Sequence, residues 1–164
     1  MILSPHFQSE EFERGSARIP ADCIPIFTVL CQKILEPARE FSGAPFVITS
    51  GYRSSASNAE AHGQPDSEHM ATPQWCAADF YPSSGKTVEV FDWMRNDPTL
   101  PYHQLILEKT ESGAFVIHVS LNLQKPGVRS VLLGATNNAA PYTSVYHVPF
   151  APPGTAQAEG AERG

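Results

Sequence analysis

The sequence predicts a small single domain of the α+β class, in which helices flank a largely antiparallel sheet. The segments follow the order helix, strand, loop, strand, helix, hairpin, which does not alternate regularly as a parallel α/β fold would. The clearest local signal is a hairpin of two apolar strands near residue 110. With 164 residues, 41% of them hydrophobic and 17% charged, the chain can form one sizeable core.

The N-terminal part predicts an aromatic-anchored arm followed by a helix. The opening "LSPHFQSEEFERG" places Phe7 and Phe12 among polar residues, which suggests an arm pinned by its aromatic rings. From Ile24 to Phe41 the apolar residues recur at three- and four-residue spacing, which is typical of a core-facing helix. Pro37 lies inside that helix and is expected to kink or shorten its last turn.

Two strands separated by a long polar loop are predicted next. "FVITS" is a short β-branched strand, and "CAADFY" is a second one. Residues 51–72 between them are rich in Ser, Asn and Gly, so we expect a functional loop with at most a short helix around Ser55 to Ala61. "KTVEVFDWMRND" predicts a second helix that ends before Pro98.

The segment "HQLILEKTESGAFVIHVSLN" predicts a hairpin whose register can be derived. If residues 111–113 form a three-residue loop with Gly113 in the left-handed conformation, three pairs of residues face each other across the strands: Thr110 and Ala114, Glu108 and Val116, and Ile106 and His118. Glu108 and His118 then share one face as diagonal neighbours. A slip of one residue would move Glu108 to the opposite face. "SVLLG" adds one more candidate strand.

The rest of the chain is predicted to be a tail. From Ala135 onward the composition shifts to Ala, Pro, Gly, Thr and Asn, so the sequence predicts a domain over residues 1–134 and a tail over 135–164. The final "PPGTAQAEGAERG" is expected to be disordered or held only by a partner.

Composition argues against several classes of function. The formal net charge of −6 shows no excess of basic residues, so nucleic acid is not an expected partner. No apolar run approaches the roughly 20 residues needed to span a bilayer. The opening lacks the pattern of a classical signal peptide, so we expect cytoplasmic synthesis. Cys23, Cys31 and Cys76 are odd in number and not at metal-like spacing, which predicts reduced, buried thiols.

The candidate metal ligands are His69, Asp79 and His118, because each lies next to the end of a predicted strand or in its middle, where a sheet can hold a ligand rigidly. A catalytic zinc ion typically takes three ligands from His, Asp, Glu or Cys and leaves a fourth position for water. Taken singly, each residue is explained as well by an ordinary place in the core or at the rim. Glu108, on the face of His118, could act as general base to a metal-activated water; without the histidine it would be a solvated edge glutamate.

Several motifs together resemble a known family. "LSPHFQSEEF", "ILEPAREFSGAPFVITSGYRS", Asn58, "SEH…AADF" and "QLILE…FVIHVS" are similar, in order and spacing, to the zinc D,D-peptidases. These are peptidoglycan carboxypeptidases and endopeptidases, many of them encoded by phages. The likeness covers about residues 3–122 and is closest to the subgroup with a "SxHF…SEF" arm and an "HVS" strand. It implies a hedgehog/D,D-peptidase-like fold.

The resemblance also implies roles for individual residues. It implies one zinc ion bound by His69, Asp79 and His118, with Glu108 as the base. Arg53 in "SGYRS" would steady the substrate carboxylate or the scissile carbonyl, which suits a guanidinium with forked N–H donors.

Three further residues are candidates for contacts with the substrate. Ser67 could orient the ligand loop or the substrate, and Tyr52 and Asn58 could support the arginine. Ordinary packing in the loop explains Tyr52 and Asn58 equally well.

The spacing of the proposed ligands departs from the family. The usual pattern, S-x-H-x-x-G-x-A-x-D, has six residues between the ligands, whereas nine residues separate His69 from Asp79 and the glycine is absent. We interpret "TPQW" as carrying a three-residue insertion. If it loops away from the metal, both ligands stay in place, but a shift of His69 would break the site. His62, Asp66 and His103 are the alternative ligands in that case.

Two hypotheses of function follow. The first is a zinc peptidase that cuts bonds next to D-amino acids in peptidoglycan stem peptides, as a phage endolysin or virion-associated lysin that a holin or injection delivers to the cell wall. The second is a non-catalytic structural or binding module of a phage particle, whose tail contacts other virion proteins. Zinc content after purification without added metal separates the two. The choice between carboxypeptidase and endopeptidase stays open.

Overall fold

A six-stranded mixed sheet with helices on one face forms the protein. The computed structural model describes residues 1–136 and 141–154. The strands run in the order β3-β4-β6-β5-β7-β8, and all neighbours are antiparallel except the parallel pair β5–β7. This confirms the α+β class and the largely antiparallel sheet. The strands are β3 (Phe46–Ser50), β4 (Trp75–Pro82), β5 (Gln104–Lys109), β6 (Phe115–Asn122), β7 (Ser130–Ala135) and β8 (Thr143–Ser144).

The N-terminal arm packs into the core as predicted. Strands β1 (Ile2–Ser4) and β2 (Phe7–Gln8) form a small ribbon, and a 3₁₀ turn follows over Ser9–Phe12. The rings of Phe7 and Phe12 are 1% and 0% exposed. Burial of each ring contributes about 1.5–3 kcal/mol, so the aromatic residues hold the arm in place.

The predicted helix over 24–41 is continuous but changes its winding. A 3₁₀ turn at Ala21–Cys23 leads into α1 (Ile24–Leu30), a π-helical turn (Cys31–Leu35) and α2 (Glu36–Ser42). Pro37 lacks the N–H of a regular helix and crowds the preceding turn, and the wider π turn, in which Glu36 N–H bonds to the Cys31 carbonyl, accommodates it. The proline therefore widens the helix instead of shortening it.

One predicted core position of this helix is only partly buried. Phe41 is 48% exposed and stacks on Trp93, with the ring centroids 4.8 Å apart. Trp93 belongs to α4 (Thr87–Asn96), which matches the second predicted helix. The short predicted helix of the long loop is α3 (Ser55–Glu60), capped by the Ser54 side chain.

The two faces of the sheet differ in chemistry. Because side chains alternate along a strand, one face carries the apolar residues that pack against the helices. Residues of β4, β5 and β6 in this core are Cys76, Ala78, Phe80, Leu105, Leu107, Ile117, Val119 and Leu121. The opposite face carries Asp79, Glu108 and His118 and lines a cavity. The three cysteines are free and buried, as predicted.

The hairpin has the predicted register. Gly113 has φ 86°, the Thr110 N–H donates to the Ala114 carbonyl at 2.8 Å, and Ile106 lies opposite His118. Glu108 therefore shares the face of His118.

Part of the predicted tail contacts the domain. The Val148 N–H donates to the Arg95 carbonyl at 3.0 Å, and the Ala151 N–H donates to the Pro98 carbonyl at 2.8 Å. The division at residue 134 stays a prediction, and the disorder expected at the C-terminus concerns residues 155–164, outside the described ones. Within residues 1–136 and 141–154, no helix has the length and apolar character to cross a bilayer.

Candidate metal centre and active site

Strand register places two of the three predicted ligands side by side. Asp79 on β4 lies directly opposite His118 on β6, on two adjacent interior strands of the sheet. His69 comes from the loop between β3 and β4, and its carbonyl accepts a hydrogen bond from the Arg53 N–H at 2.9 Å. This bond fastens the loop over the polar face of the sheet.

The three ligand atoms converge. His69 Nε2 lies 3.1 Å from Asp79 Oδ1 and 3.2 Å from His118 Nδ1, and His118 Nδ1 lies 2.8 Å from Asp79 Oδ1. Ligand atoms at about 2.0–2.1 Å from a tetrahedral ion are roughly 3.3 Å apart, so the set is close to the spacing such an ion needs. All three residues are buried, and they form the one group in the described part of the chain that could hold a metal ion.

A backbone carbonyl fixes the tautomer of His69. His69 Nδ1 donates to the Gly51 carbonyl at 2.7 Å, so Nε2 is the ring nitrogen that faces the cluster and would offer its lone pair to a metal ion. Gly51 is needed there because a Cβ would lie 2.5 Å from the Phe12 Cβ. The buried N-terminal arm thus sets the position of the carbonyl that orients the histidine.

Charge and hydrogen bonding keep Asp79 ionised. Burial alone would raise the pKa of this carboxyl group, but the charge of His69 and the hydrogen bonds with His118 and His69 lower the pKa below its ordinary range. Burial lowers the pKa of His118 and the hydrogen bond with Asp79 raises it, and the net change is a rise. A carboxylate between two imidazole nitrogens is a donor set that suits zinc.

Arg53 supports the other oxygen of Asp79. Its Nη2 donates to Asp79 Oδ2 at 3.2 Å and its Nε donates to Ser50 Oγ at 3.0 Å. Oδ1 is thereby left to the histidines. The guanidinium also lines the cavity, where the predicted contact with substrate stays a prediction. Ser50 was not anticipated from the sequence.

Glu108 lies in the wall of the same cavity, which has a volume of about 520 Å³. Burial and the negative charge of Asp79 raise the pKa of Glu108. The carboxylate accepts a hydrogen bond from the Tyr142 hydroxyl at 2.8 Å. Tyr142 is a partner that the sequence did not suggest, although the isolated glycine in "SVLLG" is a signal for close approach of another group.

The remaining predicted substrate contacts differ in position. Ser67 lines the cavity, and its Oγ accepts the His69 N–H at 3.4 Å. Asn58 is buried and donates to the Gln64 carbonyl at 2.9 Å, so it holds the loop together. Tyr52 packs against the core, and its N–H donates to the Phe12 carbonyl at 2.8 Å. Their roles toward a substrate stay predictions.

The extra residues between the ligands form a turn that leaves His69 in place. The Thr72 N–H bonds to the Trp75 carbonyl at 3.0 Å, and the Leu123 N–H bonds to the Gln74 carbonyl at 2.8 Å. Pro73 and Gln74 are exposed, while His69 is 3% exposed. The insertion therefore bulges away from the cluster.

The alternative ligands have other surroundings. His62 and Asp66 are exposed. His103 Nδ1 instead forms a bond of 2.9 Å with the carboxylate of Glu68, which also accepts from Asn122 Nδ2. Glu68 and His103 of this second polar cluster line the same cavity as His69. The members of the cluster are far apart in sequence, so no local pattern predicted it.

A metal-dependent hydrolase requires a set of metal ligands and a nearby carboxylate in one cleft, and this cleft contains candidates for both. A sequence model of the Peptidase M15 family matches residues 5–119, more than half of the chain. The chain belongs to this family, which supports a hydrolase, and the buried histidine–aspartate–histidine group supports a metallopeptidase. No curated protein matches the chain.

Proposed function

We propose that the protein is a zinc-dependent peptidase that hydrolyses peptide bonds in the stem peptides of bacterial peptidoglycan. The observation that carries the proposal is the convergence of His69 Nε2, His118 Nδ1 and Asp79 Oδ1 within 2.8–3.2 Å of one another. Membership of Peptidase M15 supports peptide-bond hydrolysis. Glu108 in the wall of the same cavity adds the group that hydrolysis requires.

His69, Asp79 and His118 would hold the ion. When bound, zinc supplies a Lewis acid for the scissile carbonyl and lowers the pKa of a nearby water molecule. Glu108 accepts a proton from the attacking water and returns it to the leaving amine, and its raised pKa strengthens it as a base. Arg53, held by Asp79 and Ser50, offers its guanidinium to a carboxylate or carbonyl of the substrate.

Action at the cell wall is part of the proposal. We propose that the enzyme reaches its substrate as a phage lysin or as part of a virion, and that residues after 134 offer contacts to other virion proteins. Nucleic acid and membrane have no place in this function.

Metal content and product analysis test the proposal. The protein is purified without added metal, its zinc is measured by mass spectrometry, and purified peptidoglycan is digested with and without a chelator. We expect one zinc ion per chain and soluble fragments that disappear with the chelator and return with added zinc. Release of single D-alanine would indicate a carboxypeptidase, and release of longer peptides an endopeptidase. A folded protein with no zinc and no products would refute the proposal and favour a structural module.

A further inference from the structure

Tyr142 lies outside the segment that matches the family, yet its side chain reaches the proposed active site. The family match ends at residue 119, and Tyr142 directly precedes β8 at the edge of the sheet. Its hydroxyl lies 2.8 Å from Glu108 Oε1. This hydrogen bond from the segment at the edge of the sheet to the proposed base is explained by the local structure.

Strand register explains how the tyrosine reaches across. Glu108 on β5 lies beside Gly134 on β7, and the antiparallel pairing of Leu133 with Thr143 makes Tyr142 the next neighbour of Gly134. The three residues form one row across the sheet. The middle position has no side chain, so the tyrosine ring lies over the backbone of β7 and extends to Glu108.

Gly134 is required for this arrangement. A Cβ built on Gly134 would overlap Cδ1 and Cε1 of Tyr142. A glycine inside a strand weakens the strand, and one reason to find it there is close approach of another group. The aromatic ring covers the backbone of Gly134, which is partly buried.

The direction of the hydrogen bond is set by the protonation state of the phenol. Burial and the hydrogen bond to Glu108 both raise the pKa of the Tyr142 hydroxyl, which therefore keeps its proton at neutral pH. The hydroxyl donates and the carboxylate accepts. Oε1 of Glu108 is thereby held in the wall of the cavity.

We propose that Tyr142 is a positioning residue that orients the carboxylate of Glu108 for proton transfer. Gly134 leaves the space that the Tyr142 ring occupies. The inference rests on the proposed function, in which Glu108 is the base. It predicts that the chemical step depends on the hydroxyl, whereas substrate affinity and zinc binding do not. A side chain that contacted the substrate would affect the Michaelis constant instead.

Tyr142→Phe removes the hydroxyl and keeps the ring. We expect kcat on a peptidoglycan fragment to fall about 10–100-fold, the effect of losing a hydrogen bond to a charged group, with KM within about twofold of the parent and unchanged zinc content. Gly134→Ala keeps the hydroxyl but displaces the ring, and should lower kcat similarly. Tyr146→Phe is the matched control, because that ring is 73% exposed in the same segment and should behave as the parent.

A measurement of stability tests the contact independently of activity. Tyr142→Phe should lower the melting temperature of the parent but leave that of a Glu108→Ala variant unchanged, because the partner is already absent there. Equal losses in both backgrounds would refute the contact. If the parent cleaves, Glu108→Gln does not, and Tyr142→Phe retains the parental kcat, the positioning role is wrong and the proposed function stands. If the parent itself releases no fragments with zinc bound, the proposed function fails, and the melting experiment still decides on the contact.

Discussion

The two sides of the cleft, one with the candidate metal ligands and one with Glu108, differ in how firmly the rest of the structure holds them. The candidate metal group lies on two adjacent interior strands, β4 and β6, and on a loop anchored to the core, and its three residues are at most 9% exposed. Glu108 lies on the next strand, β5, but its hydrogen-bond partner Tyr142 directly precedes the edge strand β8 and is 39% exposed. The metal side is thus fixed by the core, while the side that carries the base depends on a peripheral segment.

This difference separates two properties of the protein, the geometry of the candidate metal ligands and the position of the proposed base. The family match includes all three candidate ligands and Glu108 but ends before Gly134 and Tyr142. The candidate ligands therefore lie within the segment that matches the family, while the hydrogen-bond partner of the proposed base lies outside that segment. Changes on one side of the cleft should therefore leave the other side intact.

The largest effect is expected from His118→Ala. His118 is 8% exposed and supplies one of three ligand atoms, so its loss should abolish zinc binding and hydrolysis together. Zinc content and fragment release measure both. His147→Ala is the control, because His147 does not line the cavity and should retain parental values. Full zinc content in His118→Ala would show that the metal lies elsewhere.

Glu108→Gln should affect catalysis alone. Glutamine keeps the size of the side chain and an oxygen that accepts from Tyr142, but it removes the base. Hydrolysis of peptidoglycan fragments should fall by about 10²–10⁴-fold, the usual contribution of a positioned acid–base group. Zinc content and melting temperature should barely change. Parental activity in this variant would exclude Glu108 as the base, and loss of zinc would mean that the two sides are not independent.

Gly51→Ala should lower the metal affinity by disturbing the carbonyl group that orients His69. The added methyl group would lie 2.5 Å from the Phe12 Cβ, so the arm or the Gly51 carbonyl must move. That carbonyl fixes the tautomer of His69, and loss of such a partner typically lowers metal affinity 10–100-fold. A competition titration with a chromogenic chelator measures the affinity. Parental affinity with a folded protein would show that the Gly51 carbonyl does not orient the ligand.

Local patterns predicted the parts of the site that depend on neighbouring residues in sequence. The period of two along each strand and the position of Gly113 were enough to place Glu108 and His118 on one face. The contacts of His103 with Glu68 and of Tyr142 with Glu108 join residues 35 and 34 positions apart. Periodicity in the sequence does not predict such contacts, because they depend on the order of the strands in the sheet.

Pairing of β5 with β7 was missed for the same reason. The connection after β6 returns the chain to the far side of β5 and makes that pair parallel, which a sequence of apolar runs does not specify. The position of Phe41 was wrong because helical periodicity marks an apolar face without showing which part of it the core covers.

The smallest effect is expected at the insertion between the ligands. The turn over residues 72–75 is held by backbone hydrogen bonds, among them the bond from the Leu123 N–H to the Gln74 carbonyl. The Gln74 side chain is exposed, so Gln74→Ala should change the free energy of unfolding by no more than about 0.5 kcal/mol and leave zinc affinity unchanged. Denaturant unfolding and the chelator titration measure the two quantities. A marked loss of zinc affinity would show that the turn controls the position of His69, and that the metal side is less independent of its surroundings than its burial indicates.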